Sequence, residues 1–402
     1  MLTDKTIVLG VTGGIAAYKA VEVCRRLVDM GAHVAPVLTK GAERFVGSAT
    51  FDALASEPTQ RSLWDEASPI PHTRLGQSAD VVVVCPATAR LLSDYRTGRS
   101  GDLLTATLLA TRAPVVVAPA MHTEMWEQAA VQDNIAVLRS RGVLVVDPEP
   151  GRLAGGDIGY GRLARPETVV DATVAAAHGR VGDLSGLRVL VTAGGTREPL
   201  DPVRYLGNRS SGKQGVAVAR EALARGAEVT LVTSADLTVS PAIECIPVET
   251  ADDMHKAVRE RAAGADIIVM AAAVADFRPD RQVTEKMKKR DGAPAVQLEQ
   301  TVDILAELGA AKPAGQVLVG FAAETEDLRA NAAAKLAKKG ADLIIGNDVS
   351  APAVGFGHDT NAVIVLGVDG SEVEIPLSDK REIARAVLDS ALDVRSEPAP
   401  KR

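Results

Sequence analysis

The densest run of cationic residues lies at 283–292, where VTEKMKKRDG carries Lys286, Lys288, Lys289 and Arg290 in quick succession. Like charges repel at this spacing unless an anion neutralises them. Asp291-Gly292 reads as a hairpin turn between this run and the apolar stretch 296–298. On a strand, Lys286 and Lys288 share one face while Met287 and Lys289 share the other. Two readings stay open here: a solvated cationic face, or a lysine hairpin lying over a triphosphate. A second cluster is Gly207-Asn208-Arg209-Ser210-Ser211-Gly212-Lys213-Gln214. It satisfies GxxxxGK, but Gln214 stands where a P-loop needs the Ser or Thr that holds Mg²⁺. Residues 196–206 also separate it from its strand, so a P-loop NTPase is rejected. Ser210, Ser211 and the first N–H groups of the following helix still suit an anion.

Near the N-terminus Gly13-Gly14 joins a strand to a helix. Such a pair lets the backbone approach a phosphate at a helix N-terminus; an ordinary tight turn has the same pattern. GVTGGI does not meet GxGxxG, and the second strand ends at Leu38-Thr39-Lys40 without the acid that holds an NAD ribose. The Thr39 hydroxyl and Lys40 suit a phosphate, which favours a mononucleotide such as FMN over NAD. Cys85-Pro86-Ala87-Thr88-Ala89 and Pro119-Ala120-Met121-His122-Thr123-Glu124-Met125-Trp126 each follow a strand, where open α/β sheets bind ligands. Met121, Trp126 and the His122 imidazole could line a flavin or substrate pocket, or start a helix whose Met and Trp face the core. His72, in PHTRL, is a lone histidine that spacing alone does not make catalytic. Further along, Asp276-Phe277-Arg278-Pro279 and Gly320-Phe321-Ala322-Ala323-Glu324 follow strand ends, Asn347-Asp348 ends a further strand, and Lys335, Lys338 and Lys339 close a helix. Together they suggest a single crevice.

The elements that must position these groups repeat. A strand at 7–11, a helix at 15–30 capped by Gly31 and a strand at 33–38 form one β-α-β opening. A strand at 188–192, a helix at 212–225 capped by Gly226 and a strand at 228–232 form another. Apolar runs at 81–84, 115–118, 144–146, 267–270, 317–319 and 343–345 fit buried parallel strands. The expectation is an α/β chain of two Rossmann-like domains with mainly parallel sheets, 1–182 and 183–402, joined by a linker at 178–185.

Composition narrows the partners. Across 402 residues, Asp+Glu number 52 and Lys+Arg 45, for a net charge of −7, so a general nucleic-acid binder is disfavoured. Aromatic residues are only 3%, too few for base-stacking platforms. The cysteines Cys24, Cys85 and Cys245 make neither a disulfide framework nor a zinc motif. No apolar run reaches the ~18 residues of a membrane helix, and the N-terminus does not read as a signal peptide. The expectation is a soluble, cytoplasmic protein with neither membrane nor nucleic-acid partners.

Taken together, GGTREPLDPVRYLGNRSSGKQG, AAAVADFRP, EKMKK, GFAAET and NDVS resemble the ligase half of the bifunctional coenzyme A biosynthesis family. GGIAAYK, PHTRLG, CPATA and PAMHTEMW resemble its flavin-containing cysteine decarboxylase half. The resemblance covers nearly the whole chain. It implies CTP-dependent joining of cysteine to 4′-phosphopantothenate through an acyl-cytidylate, with Mg²⁺. FMN-dependent decarboxylation of phosphopantothenoylcysteine to 4′-phosphopantetheine would follow. Asn208 matches the asparagine that handles the acyl-cytidylate, and Lys286 the first lysine of the KxKK flap. CTP would meet Met270, Ala271, Ala272, Asp276, Lys286, Val302, Asp303, Ile304, Leu305, Phe321, Lys335 and Lys339. His72 matches the catalytic histidine of the decarboxylase; Gly13, Gly14, Thr39, Thr88 and Met121 fall where FMN is held. The implied assembly is a homo-oligomer of decarboxylase trimers and ligase dimers, up to a dodecamer.

Two departures stand out. The family pattern PxMNxxMW has asparagine where this chain has His122, and the family's substrate lid has a proton-donating cysteine where this chain has Gly155. Either His122, Asp157 or Tyr160 supplies the proton in a variant decarboxylase, or this half only binds flavin or scaffolds the oligomer.

Overall fold

The computed structural model describes residues 2–64, 70–180, 182–286, 295–324, 326–348 and 358–396. The chain divides into two compact units, Met1–Asp183 and Leu184–Arg402. The first runs β1 (Thr6–Val11), α1 (Tyr18–Asp29), β2 (His33–Leu38), α2 (Ser48–Asp52), α3 (Pro71–Ser78), β3 (Val81–Ala87), α4 (Ala89–Thr97) and α5 (Leu103–Ala110). It continues with β4 (Val115–Pro119), α6 (Thr123–Trp126), α7 (Ala129–Ser140), β5 (Leu144–Val145), β6 (Glu149–Arg152), β7 (Ile158–Arg162) and α8 (Pro166–Ala177).

Its main sheet has the order β2-β1-β3-β4-β5, all parallel. The strands are apolar on both faces because helices cover both. Thus Ile7, Leu9 and Val11 of β1 enter one core while Val8 enters the other. In α1 the buried residues are Ala20, Val23, Cys24 and Leu27, the i, i+3, i+4, i+7 stripe that docks a helix on a sheet. The expected helix at 15–30 begins as a single 3₁₀ turn, Ile15–Ala17. β6 and β7 form a separate antiparallel hairpin.

The second unit comprises β8 (Arg188–Ala193), β9 (Arg197–Pro199), β10 (Tyr205–Gly207), α9 (Lys213–Ala224), β11 (Glu228–Thr233), β12 (Glu244–Pro247), α10 (Ala251–Ala262), β13 (Ile267–Met270) and β14 (Phe277–Pro279). Then come β15 (Leu298–Gln300), α11 (Ile304–Ala311), β16 (Val317–Glu324), α12 (Leu328–Lys339), β17 (Leu343–Asp348), β18 (Thr360–Gly367), β19 (Glu372–Asp379) and α13 (Lys380–Ser396). Its sheet runs β12-β11-β8-β13-β16-β17-β18-β19. The strands through β17 are parallel; β18 and β19 add antiparallel. Val189 and Val191 of β8 enter one core and Leu190 the other, as in β1. Helix α13 buries Ile383, Ala384, Val387, Leu388 and Ala391 along one stripe.

Two further expectations change. Residues 320–324 do not follow a strand end: β16 runs through them, because its pairing with β17 continues from Phe321↔Ile345 to Glu324↔Asp348. The expected hairpin around Asp291-Gly292 has its paired arms elsewhere, at Phe277↔Gln300 and Pro279↔Leu298. Lys286 lies outside any strand, and residues 287–294, including Asp291-Gly292 and the other lysines of the run, lie outside the described residues.

Candidate functional sites

Each sheet reverses its strand order once near its middle, and such reversals open a crevice at the strand C-termini. In the second unit the reversal falls between β8 and β13. The loops that leave these strands are tied together: Ala273 N–H donates to Gly194 O (2.8 Å), and Ala275 N–H to Thr196 Oγ1 (2.8 Å). The cleft beside them has a volume of about 690 Å³. It gathers Asn208, Met270, Ala271, Ala272, Asp276, Val302, Asp303, Ile304, Leu305, Phe321, Lys335 and Lys339. Ser210, Ser211 and Lys213 from the start of α9 also line it, as does Lys338. Lys286 is exposed and is not among the lining residues.

Asn208 is fixed by its amide, which donates to Ala273 O and Val274 O, both at 3.2 Å. Asp303 caps α11 by accepting from Ala306 N–H at 3.1 Å and also pairs with Lys339. Burial pushes the Asp303 carboxyl up, but the bonds from Lys339 and Ala306 outweigh it and hold the group below its ordinary value. Lys335 lies 3.6 Å from Glu324 and Lys213 2.7 Å from Asp359. The lysines thus stand ready with carboxylate partners that a polyanion could replace. Lys380, buried at the start of α13, and Asn361, buried near the start of β18, also line the cleft. Neither belongs to a motif; the antiparallel addition of β18 and the return of α13 bring them there. Burial lowers the Lys380 pKa, and the charge of Lys213 lowers it further.

In the first unit the reversal falls between β1 and β3. Buried Thr12 links the two strand ends: its hydroxyl donates to Pro86 O (2.7 Å) and accepts from Thr88 N–H (3.1 Å). The pocket there, about 640 Å³, is lined by Thr12, Gly13, Thr39, Lys40, Trp64 and Thr88, among others. That volume is in the usual range for a cofactor. A Cβ on Gly13 would lie 2.6 Å from the Gly41 backbone, so glycine is needed for that approach. At Gly14 the nearest neighbour of such an atom is Thr88 Cγ2, 4.0 Å away, which leaves the turn open toward Thr88. Hydroxyls, exposed backbone and Lys40 at a strand-to-helix turn suit a phosphate.

Met121 is not in this pocket lining; it packs on the core, and its N–H donates to Gly161 O of β7 (3.0 Å). His122 starts α6 with its ring between Glu124 and Asp157. His72 sits in the first turn of α3, also outside that lining, and its buried Nδ1 has no hydrogen-bond partner among the described residues. Thr12 was not a sequence candidate as a functional hydroxyl, although it directly precedes the glycine pair.

A family model described as flavoprotein matches residues 1–178. One described as DNA/pantothenate metabolism flavoprotein C-terminal domain matches residues 184–394. The coenzyme A biosynthesis bifunctional protein CoaBC of Mycobacterium tuberculosis (strain ATCC 25618 / H37Rv) is 47% identical over 401 residues, covering 96% of each chain. The protein of the same name from Bacillus subtilis (strain 168) is 43% identical over 393 residues, covering 96% of this chain and 97% of that one. This chain belongs to the bifunctional coenzyme A biosynthesis family. Among solved structures, the C-terminal domain of a CoaBC is similar at 38% identity, TM-score 0.46, covering 54% of this chain and 100% of that one. The FMN-dependent cysteine decarboxylase SpaF is similar at 29% identity, TM-score 0.40, covering 44% of this chain and 99% of that one.

No described helix is long and apolar enough to cross a membrane. Among the described residues no group of three or more His, Cys, Asp or Glu side chains could hold a metal ion.

Proposed function

We propose that the family's two reactions divide between the two units. The chain is a bifunctional enzyme of coenzyme A biosynthesis, a phosphopantothenate–cysteine ligase joined to a phosphopantothenoylcysteine decarboxylase. The observation that carries the reading is the second-unit cleft, where Asn208 and every assigned CTP position except Lys286 share one crevice.

In that cleft CTP is the activating co-substrate. Lys335 and Lys339 exchange their carboxylate partners for its phosphates, and Asp276 and Phe321 lie beside the nucleoside. Mg²⁺ enters with the triphosphate, consistent with its habit of binding through substrate phosphates rather than an all-protein cage. The Asn208 amide exchanges one of its two carbonyl partners for the acyl-cytidylate of 4′-phosphopantothenate and so donates to the charge there. Lys286 supplies a further cation to the transferred group. The amine of cysteine then displaces cytidylate.

In the first unit the residues present fit FMN: Thr39, Thr88 and the Gly13-Gly14 turn hold its phosphate end. When bound, FMN would supply reversible two-electron chemistry at the substrate's thiol-bearing carbon. His72, with its unpartnered Nδ1, takes part in proton transfer at that centre, and Met121 anchors the segment that carries His122. The reading includes a homo-oligomer of decarboxylase trimers and ligase dimers, and a cytoplasmic location.

The test is to supply 4′-phosphopantothenate, cysteine, CTP and Mg²⁺ to the purified protein and identify products by mass spectrometry. Accumulation of 4′-phosphopantetheine is expected. Arrest at phosphopantothenoylcysteine with flavin bound would favour a decarboxylase half that only binds cofactor. Absence of both products would sink the reading.

A further inference from the structure

The β6–β7 hairpin folds onto segment 121–123. A Cβ on Gly159 would lie 2.3 Å from Thr123 Oγ1, and one on Gly161, whose φ is +129°, 2.2 Å from Met121 O. These glycines therefore face the segment. Strand alternation sends Ile158 and Tyr160 to the other face, where they are 84% and 54% exposed. The turn of the hairpin brings Asp157 to His122, with Oδ2 3.1 Å from Nε2, while Glu124 meets Nδ1. A carboxylate at each ring nitrogen makes both nitrogens donors, which is the imidazolium form. The bonds to Glu124 and then Asp157 raise the His122 pKa above its ordinary value. Beside this clamp lies Gly155. A Cβ there would stand 3.2 Å from Asp157 Oδ2 and 3.5 Å from His122 Nε2. A side chain at 155 and the His122 Nε2–H therefore address the same small space.

The thiols, Tyr160 and the two carboxylates are poorly placed as donors here. Cys24 and Cys85 are buried, and burial pushes their thiols up to about 11 and about 12. Tyr160 is on the wrong face of β7. Asp157 and Glu124 act as acceptors toward the ring.

We propose that His122 is the general acid that protonates the substrate carbon from which carbon dioxide has departed, with Glu124 and Asp157 as positioning residues. This rests on the decarboxylase reading above. Loss of carbon dioxide leaves an ene-thiolate. His122 Nε2–H turns from Asp157, which accepts from it, and gives its proton to the carbon that lost the carboxylate. The C=C electron pair becomes the new C–H bond, a thiolate pair becomes the C=S bond, and the ring is left neutral. The step is redox-neutral and yields the thioaldehyde that the flavin's two electrons then reduce. Glu124 holds Nδ1–H throughout and so steadies the charged ring.

The experiment uses the flavin-loaded full chain with phosphopantothenoylcysteine under anaerobic conditions, following flavin absorbance and product mass. In the unsubstituted protein the flavin bleaches and recovers as phosphopantetheine forms. In His122→Asn, bleaching stays within about tenfold of the parent, while recovery slows about 10²-fold or more, the usual contribution of a general acid. A product two hydrogens lighter than phosphopantetheine accumulates. Adding Gly155→Cys to His122→Asn brings recovery back to within about tenfold of the parent. Recovery at the parent rate in His122→Asn overturns the proposal. A second readout needs no turnover: NMR titration of the His122 imidazole in the folded protein. Asp157→Asn and Glu124→Gln should each lower its titration point, and an unmoved point in both overturns the clamp. If the unsubstituted protein never bleaches with this substrate, the decarboxylase reading fails instead, whatever His122 does.

Discussion

The two crevices lie at equivalent places in two similar sheets, yet they are built differently. In the second unit the loops after β10 and β13, the N-terminus of α9, the C-terminal turn of α12, β16 and the start of α13 all reach one cleft. Its lysines already sit beside carboxylates. In the first unit Thr12, Gly13, Thr39 and Thr88 share a pocket, but His72, Met121 and His122 are outside its lining. The first arrangement gathers cations in one cleft. In the reading proposed above, the second separates cofactor-holding groups from proton-handling groups, as suits chemistry in which the cofactor carries the electrons.

This contrast can be broken most sharply at Asn208. Asn208→Ala should reduce CTP-dependent pyrophosphate release by about 10²–10³-fold, the usual loss for one donor to the reacting group, with flavin content unchanged. A loss below about tenfold would separate Asn208 from the chemistry. Next comes Lys339→Met. Its side chain is 15% exposed and it pairs with Asp303. Losing one charged hydrogen bond costs about 1.5–3 kcal/mol, so KM for CTP should rise about 10- to 100-fold. Thr12→Val tests the other unit. It removes both bonds between the ends of β1 and β3 and should cost about 1–3 kcal/mol. A lower melting temperature and weaker flavin retention are expected, with CTP kinetics unaltered. The smallest effect is expected of Lys335→Met. Its side chain is 36% exposed and its pair with Glu324 is longer, so a rise in KM of only a few-fold should appear. Equal effects at Lys335 and Lys339 would show that the pairing with Asp303 does not distinguish them.

Much of this organisation was legible in the chain. The runs at 81–84 and 267–270 announced buried strands because parallel sheets are apolar on both faces, and the glycine pair announced the turn after β1. The family assigned the cleft through motifs at strand ends, which is where the topology places ligands. What escaped was carried by no local pattern. Asn361 and Lys380 reach the cleft only through the antiparallel return of β18 and α13. The β14–β15 pair brings 277–279 against 298–300, a register that turn chemistry at 291–292 did not fix. Thr12 was hidden because its partners, Pro86 and Thr88, are remote in sequence.

The placement of Lys380 also bears on how the protein is made. On the ribosome, domains generally fold in order from the N-terminus. The first unit has its last helix by Ala177, so its pocket can close while synthesis continues. The second-unit cleft cannot, because one of its walls is the first residue of α13. A chain cut short before Lys380 would thus carry the first-unit pocket without a finished second-unit cleft, so a nascent chain completes its two crevices at different times.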